Sequence, residues 1–159
     1  MDIFSTEDGD MDWAECMSRK IVKEISSDKH LVASLMEMAS NKLKTQELLK
    51  MDDTTASSKV SLAYDALREY AEALAILKGF KVYNHECYCA FLKEKMQESD
   101  LGDLFDKQRK LRNAINYYGK KISPEEASSS LGKIIELSEE IKKLISLNIN
   151  EQESSKRIK

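Results

Sequence analysis

The clearest helical pattern in the chain lies at Ser58–Lys78, which reads SKVSLAYDALREYAEALAILK. Its apolar residues recur at intervals of three or four, which is the spacing of one face of an α-helix. They are Val60, Ala63, Leu67, Tyr70, Ala71, Leu74 and Leu77. Gly79 follows at once and is suited to a helix end. Because the stretch is rich in alanine, it predicts a long helix that a neighbouring helix can approach closely.

The segments on either side are also helical in pattern and begin at polar breaks. Asp28 is a suitable N-cap for a helix over residues 29–50, and Asn84 for a helix reaching about Gln97. The sequence Ser123-Pro124-Glu125-Glu126 combines an N-cap serine, a proline at the first helical position and a glutamate at the third, which is a capping box. With a helix over residues 103–118, the chain is predicted to be all-α, an up-and-down antiparallel bundle of about five to six helices.

The ends of the chain differ from its middle in pattern. Four segments are predicted: a disordered N-terminus at 1–10, an N-terminal helix at 11–27, the helical bundle at 28–149 and a frayed tail at 150–159. Asp10 or Asp12 can cap the N-terminal helix. The four residues Phe80–Tyr83 predict a short extended connection inside the bundle.

Composition narrows the class of protein. The chain has 159 residues, 42% of them hydrophobic and 33% charged, with five glycines and one proline. Few helix breakers in a chain of this length favour one helical domain. The formal net charge of −3 argues against a protein that coats nucleic acid by bulk electrostatics, but it leaves a local basic patch open.

Three cysteines and an acidic N-terminus bear on the compartment. The first twelve residues are acidic, whereas a secretory signal begins basic and then becomes apolar. We therefore expect reduced thiols and a cytoplasmic location. No run of 18 apolar residues occurs, so no membrane association is expected, and no cofactor motif is present.

The stretch Lys110–Gly119, KLRNAINYYG, contains the candidate site. An apolar stripe of Leu104, Leu111, Ile115 and Tyr118 is expected to be buried on this helix. Polar and aromatic side chains border that stripe at helical spacings, more than a solvated face requires. The candidate binding residues are Arg112, Asn113, Asn116, Tyr117 and Tyr118.

Three blocks of sequence stand out within residues 28–147, and they are SLAYDALREYAEALAILKGFKV, YNHECYCAFL and LRNAINYYG. Together they resemble the HEPN superfamily of small helical domains. The resemblance implies an antiparallel bundle that forms a homodimer, with the signature helices facing each other. It also implies, for active members, a metal-independent ribonuclease site made of arginine and histidine. Many such proteins are toxins partnered by a small nucleotidyltransferase antitoxin.

The family signature is incomplete in this chain. Arg112 matches the family arginine and Asn113 the polar residue after it, but Tyr117 or Tyr118 stands where the histidine is expected. A phenol titrates near pH 10 and an imidazole near about 6.5, so tyrosine is a poor general base at neutral pH. Three hypotheses follow. The chain is a weak or inactive module that binds RNA, a nucleotide or a protein partner; or an active endoribonuclease using Arg112 with Tyr117 or Tyr118; or a helical dimerisation scaffold.

Other residues have competing interpretations. His85, Cys87 and Cys89 are ligand types for zinc, but their spacing on a helix and the lack of a fourth partner favour buried thiols and a helix-start histidine, so no metal is expected. Arg112 could instead form an ion pair with Asp103, Asp106 or an acidic residue of another helix. Dimerisation is predicted through two helical faces, Ala63–Leu77 and Leu104–Tyr118.

Overall fold

The structure, a computed structural model, describes residues 11–158, so the expectation for residues 1–10 lies outside it. The described chain is an all-α helical bundle with a two-stranded sheet, as predicted. Its elements are α1 (Trp13–Ser18), β1 (Val22–Glu24), α2 (Lys29–Leu48), α3 (Ala56–Leu77), β2 (Phe80–Val82), α4 (Glu86–Ala90), α5 (Ser99–Tyr118) and α6 (Pro124–Ile158).

Helix α3 is the centre of the bundle and is buried on nearly every side. It packs against α2, α5 and α6. Its alanines are at most 1% exposed, namely Ala56, Ala63, Ala66, Ala71, Ala73 and Ala75. The alanine face was predicted to form part of a dimer interface, but its neighbours within the same chain already cover these alanines, and dimerisation itself stays a prediction. The small side chains allow those helices to approach closely.

The ends of α2 are fixed by side chains. Asp28 caps its N-terminus as predicted, since Oδ1 accepts a hydrogen bond from the backbone N–H of Leu31 at 3.0 Å. At the other end, Nζ of Lys59, a buried residue of α3, donates to the carbonyls of Gln46 and, at 2.6 Å, Leu49. A cation at a helix C-terminus satisfies carbonyls that have no partner within the helix.

The predicted N-terminal helix over 11–27 is wrong beyond Ser18. Asp12 caps α1, accepting from the N–H of Glu15 at 2.8 Å. Lys20 then adopts a φ of 58°, a left-handed conformation that stops a right-handed helix. The chain continues as β1, which pairs antiparallel with β2 at the predicted extended connection. Tertiary pairing with β2 therefore overrides a helical apolar pattern.

The expectation of reduced thiols is also wrong. Cys16 of α1 and Cys87 of α4 form a disulfide that closes a sequence separation of 71 residues. Both residues are fully buried, and Cys89 is buried outside the disulfide. Sequence distance concealed the pair, because only the fold brings α1 onto α4. Disulfides persist in oxidising surroundings, so the cytoplasmic location loses one of its supports and stays a prediction.

The helix predicted from Asn84 begins close to that residue, but it changes from α-helical to π-helical geometry along its length. Oδ1 of Asn84 accepts from the N–H of Glu86 at 3.1 Å. After Ala90 the helix widens into a π-helical turn over Phe91–Lys95. A Cβ at Gly102 of α5 would lie 3.1 Å from the carbonyl oxygen of Cys89, so glycine allows α5 to pass close to α4.

Helices α5 and α6 are joined by a short turn. Gly119 ends α5 with a φ of 65°, and Oγ of Ser123 accepts from the N–H of Glu126 at 3.1 Å, which confirms both predicted caps. The frayed tail is wrong, since α6 continues to Ile158. Nε2 of Gln152 donates to the carbonyl of Leu77 at 3.0 Å, which attaches this part of α6 to the end of α3.

The buried face of α5 differs from the predicted stripe. Leu104 and Tyr118 are 40% and 55% exposed. The buried stripe instead follows Leu101, Phe105, Gln108, half-buried Arg112 and Ile115, at the same helical spacing but rotated on the helix. Gln108 is accommodated because its Oε1 accepts a hydrogen bond from Oγ of Ser130 on α6 at 2.8 Å. The buried face of α5 therefore includes polar residues that find partners inside the bundle, whereas the predicted Leu104 and Tyr118 lie outside it.

Within residues 11–158, no helix is long and apolar enough to cross a membrane.

Candidate functional site

A buried tyrosine of α3 organises the candidate site. The Tyr64 ring centroid lies 6.0 Å from that of Phe105 and 6.1 Å from that of His85, and Tyr88 packs between these last two rings. Burial raises the pKa of the phenols of Tyr64 and Tyr88, so both stay protonated at neutral pH. We call the residues around Tyr64 the Tyr64 cluster: Tyr64, Arg68, His85, Tyr88, Phe105, Arg109 and Arg112.

Arg112 lies at the solvent edge of this cluster. Its side chain is 17% exposed, and its guanidinium carbon lies 5.5 Å from the Tyr64 centroid and 5.7 Å from the Tyr117 centroid. Nη1 donates to Oη of Tyr117 at 3.3 Å, and Nη2 is 3.7 Å from Oδ1 of Asp65. Buried Nε finds no hydrogen-bond partner among the described residues. The guanidinium is held between two rings while much of its donor capacity is unused.

The other two arginines of the Tyr64 cluster are satisfied by close carboxylates. Nε of Arg109 lies 2.8 Å from Asp106, and Nη1 of Arg68 lies 2.8 Å from Glu72. Asp106 is therefore not the partner of Arg112, which was one alternative from the sequence, and Asp103 pairs with Lys93. The acidic partner on another helix that the sequence left open is Asp65, but its contact is long. Arg112 is thus the arginine best placed to accept an external anion.

His85 reaches the same cluster from the start of α4. Its Nδ1 lies 3.3 Å from Oη of Tyr64, and its side chain makes no capping hydrogen bond. His85 occupies the N-cap position of α4, as the helix-start interpretation predicted, but the capping hydrogen bond comes from Asn84. Burial, followed by the charges of Arg68, Arg112 and Arg109, lowers the pKa of His85 to about 4. The imidazole is neutral at pH 7, and Arg112 is near enough to influence its charge.

The remaining predicted site residues surround Arg112 on the last turns of α5. Asn116 is exposed, and its Oδ1 accepts from Oγ of Ser61 at 3.1 Å, which ties α5 to α3. Tyr117 is 68% exposed and Tyr118 55% exposed. Asn113 is half-buried. The structure therefore brings Arg112 and Tyr117 into contact, and it uses Asn116 to position the helix.

The zinc site that the sequence left as an alternative cannot form, because one of its three ligands, Cys87, is in a disulfide. The sulfur of Cys87 is bonded to Cys16, so His85, Cys87 and Cys89 do not provide two thiolates. Among residues 11–158, no group of three or more histidine, cysteine, aspartate or glutamate side chains is arranged to hold a metal ion.

The link between Arg112 and His85 is the feature that sequence reasoning missed. Tyr64 is four residues after Val60 and three before Leu67, so its burial can be read from helical periodicity. Nothing in the sequence predicts that His85, on a separate short helix, lies against the same ring. Arg112 and His85 are separated by 27 positions in the sequence. Both reach the Tyr64 ring only because α3, α4 and α5 pack together.

No protein-family model matches this chain, and no curated protein is similar to it at a significant level.

Proposed function

We propose that this protein is a HEPN-like module that binds the phosphate groups of RNA, or of a nucleotide, at Arg112, and that it has little or no catalytic activity of its own. The observation that carries the proposal is the state of Arg112. Its guanidinium is largely buried between two tyrosine rings, its nearest carboxylate is 3.7 Å away and its Nε is without a partner. A phosphate would supply closer acceptors to the terminal nitrogens Nη1 and Nη2, whose present partners lie at 3.3 and 3.7 Å.

The surroundings of Arg112 suit a base as well as a phosphate. Tyr117 presents an exposed ring beside the guanidinium, and an unpaired base can stack on such a ring. Lys120 and Lys121 are exposed in the turn that follows α5, whereas Lys110 is paired with Asp106 at 3.1 Å. The two lysines of the turn make this end of α5 locally basic in a chain of net negative charge, which is the possibility that the composition left open.

A second candidate, metal-independent endoribonuclease activity, is favoured by the position of His85. The signature helix has no histidine, but His85 contacts the same tyrosine, Tyr64, as Arg112 does. Its pKa of about 4 makes it a weak base at neutral pH, since general-base efficiency is greatest when the pKa is near the operating pH. For this reason we place binding before catalysis.

Binding is tested with a fluorescein-labelled single-stranded RNA oligonucleotide, followed by anisotropy in a buffer containing a metal chelator. Arg112→Ala should weaken binding about ten- to a hundredfold, the value of charge-assisted hydrogen bonds to one guanidinium. Arg112→Lys keeps the charge but loses the two-pronged geometry and should give an intermediate affinity. Unchanged affinity in Arg112→Ala overturns the proposal.

Arg157→Ala is the matched control, because it removes the same charge from the exposed end of α6. Asn116, one turn after Arg112, contacts Ser61, whereas Gln152, on the helix that carries Arg157, contacts Leu77. Ser61 and Leu77 lie about 24 Å apart along α3, so the two arginines are at opposite ends of that helix. The affinity of Arg157→Ala for the RNA should stay within about twofold of the affinity of the parent.

Catalysis is tested on end-labelled structured RNA without metal. Cleavage by the parent that is lost in both Arg112→Ala and His85→Asn would establish the second candidate. Cleavage lost in Tyr117→Phe but kept in His85→Asn would instead support the tyrosine mechanism expected from the sequence.

A further inference from the structure

An apolar groove separates the first half of α5 from the middle of α6. Its floor is formed by Leu101, Leu104, Leu137, Leu144 and Leu147, and its volume is about 510 Å³. Leu104 and Leu147 are 40% and 58% exposed, although both are large and apolar. Exposed leucines that line one continuous concavity mark an interaction site more often than scattered ones do.

The rim of the groove is charged, and its balance is acidic. Four carboxylates and two ammonium groups line it: Glu98, Asp100, Glu136, Glu140, Lys133 and Lys143. Nζ of Lys143 lies 3.0 Å from Oε1 of Glu140, so one of the two lysines is already neutralised by a rim carboxylate. The remaining rim charge is negative, which favours a positively charged occupant.

We propose that this α5–α6 groove binds a basic amphipathic α-helix of a partner protein. The apolar floor on α6 extends from Leu137 to Leu147, which corresponds to about 15 Å, or roughly three helical turns. An apolar floor of that length receives the leucine face of a short helix, with positions i, i+4, i+7 and i+11 pointing inward. Lysines or arginines on the flanks of such a helix would meet the rim carboxylates.

A second copy of this chain fits the groove less well. In a twofold contact the same surface faces itself, so a concave groove would meet a concave groove and leave an unfilled channel. The acidic rim would also face an acidic rim. The groove is separate from the phosphate site, because Leu104 precedes Arg112 by eight residues, or about 12 Å along α5.

The probe is a fluorescein-labelled synthetic 16-residue helix with leucines at the four inward positions, lysines on the flanks and alanines elsewhere. The expected result is saturable binding to the full chain that weakens at least about tenfold when glutamates replace the lysines. Failure of the lysine peptide to bind, or equal binding of the glutamate peptide, overturns the proposal.

The groove is located by substitution at its exposed leucines. Leu104→Glu and Leu147→Glu should each weaken binding of the peptide by about tenfold or more, because the new carboxylate is buried without a partner in the complex. Leu48→Glu, at a leucine of α2 that is 86% exposed, is the matched control and should leave affinity unchanged. Equal affinities in all three variants would place the peptide elsewhere and overturn the proposal.

Sedimentation tests the competing occupant in the same proteins. A parent dimer that becomes monomeric in Leu147→Glu, but not in Leu48→Glu, would show that a second copy covers the groove and would overturn the proposal. Groove variants that keep the parent's oligomeric state while losing the peptide are the expected result. Far-ultraviolet circular dichroism confirms that each variant is folded.

Discussion

The hydroxyl oxygen of Tyr64 lies 3.3 Å from Nδ1 of His85, and the same tyrosine ring supports the guanidinium of Arg112. A residue of the central helix thus connects the arginine of the candidate site to a histidine on a different helix. Burial partly shields Tyr64 and His85 from water. It raises the pKa of the Tyr64 phenol and lowers the pKa of the His85 imidazole, so both neutral forms are favoured.

Stability should fall as the pH is lowered from about 6.5 toward 4. The pKa of His85 is about 4 in the folded chain and about 6.5 when unfolded, so the unfolded chain binds more protons in this window. Arg68, Arg109 and Arg112 oppose protonation, while Asp65 favours it. Urea midpoints measured at pH 7.5 and 5 should differ more for the parent than for His85→Gln. Identical pH dependence in the two proteins would contradict the shift.

Phosphate bound at Arg112 should raise the pKa of His85. A nearby negative charge favours the imidazolium form, so it opposes the effect of the three arginines. The measurement is a nuclear magnetic resonance titration of the imidazole protons with and without RNA, using His30→Gln to assign the remaining histidine. In Arg112→Ala the pKa should not respond to RNA. A response that persists in that variant would place the phosphate elsewhere.

The Cys16–Cys87 disulfide should stabilise the folded chain substantially. Its 71-residue separation closes a long loop, and such a cross-link removes conformational entropy from the unfolded chain worth about 2–4 kcal/mol. Reduction should therefore lower the melting temperature by roughly 4–16 °C for a domain of this size. Differential scanning fluorimetry with and without dithiothreitol measures the change.

The control for this experiment is Cys16→Ser combined with Cys87→Ser. It should melt near the reduced parent and should not respond to dithiothreitol. A parent that melts equally in both conditions would mean that the disulfide contributes no stability.

Enlarging an alanine of α3 should destabilise the monomer instead of altering assembly. Ala71 is fully buried against neighbouring helices of the same chain, so Ala71→Leu overpacks the core and should cost about 1–3 kcal/mol. Ala33→Leu, at an exposed position of α2, is the matched control and should change stability by less than about 0.5 kcal/mol. Urea denaturation gives both values. If Ala71→Leu lowered the oligomeric state without changing the free energy of unfolding, the alanine face would be an interface after all.

The sequence predicted the helices well where local rules operate. The caps at Asp28, Ser123 and Gly119 are present because they depend on neighbouring residues alone. Arg112 was identified from a signature-like pattern, and its contact with Tyr117 lies within one helical segment.

Long-range contacts decided the rest. Pairing with β2 ended the N-terminal helix, α2 and α6 covered the alanines of α3, and the approach of α1 to α4 joined Cys16 to Cys87. These outcomes depend on which elements meet, and periodicity within an element does not specify that. The helical class, the caps and a candidate arginine can be read from local patterns in the chain. That Arg112 and His85 share Tyr64 cannot be read from them, because contacts between distant segments arise only when the whole core packs.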